Sequence, residues 1–69
     1  MSSALRAAWE AYAACDVARR QAGGDRERLD REMRRARVAL HDCLCAEGWE
    51  PDPLVAQQVA EDRAVLDAT

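Results

Sequence analysis

Residues 26–47, RERLDREMRRARVALHDCLCAE, decide the fold. Leu29, Met33, Ala36, Leu40 and Cys43 step by 4, 3, 4 and 3, the spacing that lines side chains along one face of a helix. Asp25, just before the segment, can cap a helix N-terminus. Gly48, just after it, is placed as the left-handed residue of a Schellman ending. In that ending the chain folds back on the last turn, so Trp49 is expected against Leu44.

Working outward toward the N-terminus, a second helix is expected over 3–22, capped by Ser2 or Ser3 and closed at Gly23-Gly24. Its apolar residues Leu5, Ala8, Tyr12 and Cys15 step by 3, 4 and 3. Helices of this size are about 30 and 33 Å long at 1.5 Å per residue. Matched lengths and a short glycine turn imply an antiparallel helical hairpin. Folding about the glycines sets Cys15 near Met33, Tyr12 near Ala36, Ala8 near Leu40, and Leu5 near Cys43 and Leu44. Large faces small in most layers, as interdigitated packing requires. Arg19 is the misfit, falling where Leu29 should find an apolar partner.

Toward the C-terminus, Pro51-Asp52-Pro53 starts a short helix over 53–67, with Asp52 as cap and Pro53 in its first turn. Val55, Val59 and Leu66 share a face, with Leu54 and Val65 beside it, but Gln58 and Asp62 interrupt the stripe. Residues 48–69 carry Arg63 against five acids. This acidic segment is expected to be weakly anchored and frayed at its end.

The fold class expected is therefore all-α, with 1–69 forming a single small helical domain. A chain of 69 residues buries only about 60% of the surface its unfolded form exposes. The apolar fraction of 49% is inflated by alanine, and Phe is absent. Alanine favours helix but adds little core. Trp9, Val17, Val38 and Leu44 fall off the seam, and such surplus apolar surface marks a contact face. Completion by self-association into a helical bundle is expected, with Trp9, Tyr12, Val38, Leu40, Leu44 and Trp49 at the interaction face. Trp9 and Trp49 should matter most energetically, because tryptophan buries a large area and is enriched at binding hot spots; the first reading packs both internally at opposite sides of the same hairpin end, and the second gives them an intermolecular contact.

All ten basic residues are arginine, and the net charge is -3. Residues 25–47 balance six arginines against six acids; Glu27 with Arg31 and Asp30 with Arg34 have the acid-first i, i+4 order that supports a helix. This pattern reads first as a solvated face. The alternative is a patch of Arg31, Arg34, Arg35 and Arg37 for a phosphate-bearing ligand, RNA or an acidic partner. Interleaved acids and a negative chain disfavour nucleic acid. A small transcription-associated or nucleic-acid-binding factor using this face of the second helix stays the alternative function.

His41-Asp42-Cys43-Leu44-Cys45 is the densest group of ligand-type residues. His41 and Cys45 share a helix face, whereas Cys43 diverges, so two donors converge where zinc needs three or four. No metal or other cofactor is expected, and the three cysteines should be free thiols. One histidine, no glycine-rich phosphate loop and no paired carboxylates in a pocket leave little for catalysis. No signal-like start or long apolar run appears, so neither export nor membrane insertion is expected and a cytoplasmic setting is the simplest. The function expected is non-enzymatic: a small regulator or assembly subunit that self-associates, docks on a larger protein, or does both.

Overall fold

A computed structural model describes residues 2–21 and 25–68, and among these it is helical, with no strand. Three helices follow in order: α1 (Ser3–Arg20), α2 (Arg26–Ala46) and α3 (Pro53–Asp67). The expected turn at Gly23-Gly24 and the end of the first helix at Ala22 lie outside the described residues.

Each helix starts on a side-chain cap. Ser2 Oγ accepts from Leu5 N–H at 3.1 Å. Asp25 Oδ1 accepts from Glu27 N–H at 3.0 Å and Arg28 N–H at 3.3 Å. Asp52 Oδ1 accepts from Leu54 N–H at 2.8 Å, with Pro53 opening the helix. Each cap satisfies a donor that the first turn would otherwise leave bare, a contribution of about 1 kcal/mol.

The end of α2 is a Schellman motif. Gly48 has φ of 97°; its N–H donates to Cys45 O at 3.0 Å, and Trp49 N–H donates to Leu44 O at 3.1 Å. Those are the nested bonds the motif requires. The last turn of α2 is thereby closed and Trp49 is fixed beside it.

α2 lies in the middle. Both α1 and α3 pack on it, and among the described residues their backbones do not approach each other closely. Leu5, Ala8 and Leu40 form a buried cluster against which Tyr12, Cys43 and Leu44 pack. Near one end, Cys43 Sγ is 4.0 Å from Ala4 O and Ser2 Oγ is 3.5 Å from Glu47 Oε2. The spacing assigns Leu5, Ala8, Leu40, Cys43 and Leu44 to neighbouring layers, and the one cluster gathers them. Met33, Ala36 and Val59 are the other buried apolar residues. Arg19 is exposed and Leu29 only half-buried, the pair the spacing left mismatched.

This core is thin. A fully buried Leu or Met side chain contributes about 1.5–3 kcal/mol, and two of the six buried apolar residues are alanine.

Candidate functional site

The α2–α3 contact is built around an acid. Asp62 has no solvent exposure at all. Arg37 grips it with two parallel bonds, Nε to Oδ2 at 2.6 Å and Nη2 to Oδ1 at 2.8 Å. Arg34 Nη1 donates to Oδ1 at 2.9 Å, and Gln58 Nε2 donates to the same oxygen at 3.1 Å. Arg34 Nε also reaches Asp30 at 3.0 Å, the i, i+4 pair expected from the sequence. A two-pronged guanidinium–carboxylate pair is short, directional and among the strong hydrogen bonds of proteins.

Burial pushes the Asp62 carboxyl up, but the bonds from Arg37 and Gln58 and the charges of Arg37 and Arg34 outweigh it and hold it below the ordinary range. The bond to Asp62 likewise raises Arg37 above its usual value. A second pair, Arg63 of α3 with Asp42 of α2, lies nearby on the surface. Gln58 and Asp62, which interrupt the apolar stripe of α3, are thus turned onto α2.

This arrangement redraws the arginine patch. Arg34 and Arg37 are half-buried and turned onto Asp62, while Arg31 and Arg35 are exposed. A phosphate ligand could use all four only after displacing an internal carboxylate.

At the C-terminal end of α2 the side chains of His41, Asp42, Cys45 and Trp49 gather. His41 and Trp49 meet with ring centres 6.0 Å apart and planes at 83°. His41 Nδ1 lies 3.1 Å from Asp42 Oδ1, and Nε2 lies 3.6 Å from Cys45 Sγ. Burial acts to raise the Asp42 carboxyl, yet the bonds from His41 and Arg63 bring it below its ordinary range. Cys15, Cys43 and Cys45 are all free thiols. Among the described residues no three His, Cys, Asp or Glu side chains group so as to hold a metal. His41 and Cys45 converge as a pair.

The expected interaction face divides in two. Leu40 is in the core, with Tyr12 and Leu44 packed half-buried beside it; Leu40 is therefore not available to a partner. Val38 is half-buried. Trp9 and Trp49 are 45% and 40% exposed, and Val17, Leu54, Val55 and Val65 are exposed as well. Val17 is one of the off-seam residues the spacing marks as surplus apolar surface, whereas Leu54, Val55 and Val65 are outside the expected interaction face. On α1, Trp9, Ala13 and Val17 follow each other at four-residue intervals, which makes one strip beside the Leu5–Ala8–Tyr12 seam. Among the described residues no helix is long and apolar enough to cross a membrane.

No protein-family model, no curated protein and no solved structure matches this chain.

Proposed function

We propose that this chain is a non-enzymatic helical interaction module that works as a homo-oligomer, a small regulator or assembly subunit completed by a second copy of itself. In this reading α1 and α2 form an antiparallel hairpin, and α3 straps back along another side of α2. The observation that carries it is the apolar surface left in the open: both tryptophans and four branched aliphatic residues are exposed, against six buried apolar residues among those described. Patches of this composition mark contact faces.

The layout supports the same reading. Among the described residues α1 and α3 each pack on α2, with no close backbone approach to each other. The Trp9–Ala13–Val17 strip of α1 and the exposed Leu54 and Val65 of α3 are the surfaces a second copy would cover, giving a bundle with a larger core. A larger protein would use the same face. Polyanion binding is the weaker reading, because two of the four arginines it needs are held by Asp62.

Acrylamide quenching of tryptophan fluorescence tests this as a function of concentration. Quenching should fall as the protein is concentrated, and Trp9→Ala should abolish the concentration dependence. Equal quenching at all concentrations would overturn the proposal.

A further inference from the structure

We infer that two copies of this chain exchange their α3 helices, so that Asp62 of one copy enters the Arg34–Arg37 site of the other, an arrangement that rests on the self-association proposed above. The site is addressed to one kind of segment. Arg37 Nε and Nη2, Arg34 Nη1 and Gln58 Nε2 all donate to the Asp62 carboxylate, at 2.6, 2.8, 2.9 and 3.1 Å, and Asp62 is closed to solvent. Both arginines belong to α2, whereas Gln58 travels with Asp62 on α3. An occupant must bring a helical carboxylate, an amide one turn before it, and an apolar residue in the place of buried Val59. The α3 of a second copy brings all three.

α3 also docks as a separable unit. Within it only Val59 and Asp62 are buried. It packs on α2, with no close backbone approach to α1, so an α3 arriving from another copy meets the same surface. The cluster of Leu5, Ala8 and Leu40 between α1 and α2 stays closed throughout.

The connection has the form of a pivot and an arm. Six residues, 47–52, join α2 to α3, and fully extended they span about 20 Å. Gly48, at φ of 97°, turns the chain back on α2, and glycine can leave that conformation for an extended one without steric penalty. Beyond it, Pro51 and Pro53 bias the residues before them to extended backbone; Asp52 is at φ -60° and ψ 146°. Rotation at Gly48 therefore swings α3 as a unit from its own α2 to a neighbour's. The bonds from Gly48 N–H to Cys45 O and from Trp49 N–H to Leu44 O are given up, and both donors are at an exposed turn where water replaces them.

Each copy gives its α3 and receives the other's, which closes a two-fold dimer at low cost because every contact at Asp62 is made again. With those contacts equal in the two forms, a little extra burial decides between them. Trp49, Leu54 and Val55, exposed at and just after the hinge, supply the apolar surface for it.

The test pairs two full-length variants with opposite faults, Asp62→Arg and the double change Arg34→Glu with Arg37→Glu. Either alone puts like charges at the site, and its α3 amides should exchange fast. Refolded together from urea in equal amounts, the two can rebuild the natural pair only across copies, from the α2 of the first and the α3 of the second. Amide exchange, read separately for the two chains by mass, should show α3 of the double variant protected at least about tenfold more in the mixture than alone, the floor for regaining a buried charge partner. Equal protection in the mixture and alone would overturn the exchange.

The natural chain supplies a second measurement that needs no variant to fold. Isotope-labelled and unlabelled chains refolded together at a concentration where they sediment as a dimer should give NMR contacts between the Gln58 amide of one copy and the Arg34 and Arg37 side chains of the other. A dimer whose contacts all lie within single copies would overturn the exchange and leave self-association standing. A monomer at every concentration would overturn both.

Discussion

Arg37 of α2 holds Asp62 of α3 by two parallel hydrogen bonds, at 2.6 and 2.8 Å, in a position closed to solvent. The third helix is therefore docked by a charge whose partner lies 25 residues away in the chain. Charge burial is costly unless every lone pair is met, and here Arg34 and Gln58 supply the remaining donors.

Replacing Asp62 tests how much of the docking rests on it. Asp62→Ala removes the acceptor of four hydrogen bonds, and the freed guanidiniums can turn partly to water. A loss of about 2–3 kcal/mol in urea unfolding followed by circular dichroism is expected, with amide exchange quickened first in α3. A change below about 0.5 kcal/mol, the usual range for plain surface substitutions, would show that α3 is held by packing instead.

Acid should loosen the same contact. Asp62 is held below its ordinary value in the folded state, so it binds protons less readily folded than unfolded. Its contribution is complete above the unfolded carboxyl range near pH ~3.9 and is lost as pH falls through the lower folded value. Asp42, shifted in the same direction at the neighbouring Arg63 pair, adds to the effect. Stability measured against pH should drop in this acid window in the natural chain and drop less in Asp62→Asn. Parallel curves for the two proteins would contradict the assignment.

The end of α2 gives a cleaner backbone test. Gly48 sits at φ of 97°, and a Cβ added there would meet nothing within 4 Å. Gly48→Ala should therefore cost only the left-handed backbone strain, about 1–2 kcal/mol. A larger loss in thermal or urea unfolding would mean a contact is broken as well, and none would mean the last turn opens without consequence.

Much of this fold is legible in the sequence because its signals are local. Ser2, Asp25 and Asp52 are recognisable caps, and Gly48-Trp49 announces the closing turn. The α3 span of 53–67 matches the expectation, and α2 ends one residue short of it, within the usual fraying of a helix end. That Leu5, Ala8 and Leu40 share one buried cluster follows from heptad spacing alone. Asp62 is the opposite case. Along its own helix it reads as a break in an apolar stripe, because periodicity records hydrophobicity and not a charge match with another helix. The available hint is Gln58 and Asp62 four residues apart on the face of Val59, with Arg34 and Arg37 three apart on α2. The His41–Cys45 pairing is visible as i, i+4 spacing, but the rotamers that bring Asp42 to the other imidazole nitrogen are not.

Core and surface leucines should separate sharply. Leu40, buried beside Ala8, should lose about 2–4 kcal/mol when changed to Ala, by lost burial plus the cavity left behind. Leu54 is 76% exposed, and Leu54→Ser should change stability at high dilution by less than about 0.5 kcal/mol. Urea unfolding of the two variants checks both values. Similar losses at the two sites would contradict the division between core and free edge.

Sedimentation equilibrium of the natural chain over a wide concentration range tests self-association most directly. Expected is a reversible dimer or larger species that persists in high salt, as apolar contacts do, and that Trp9→Ala shifts toward the monomer. A single monomeric species at every concentration would contradict it.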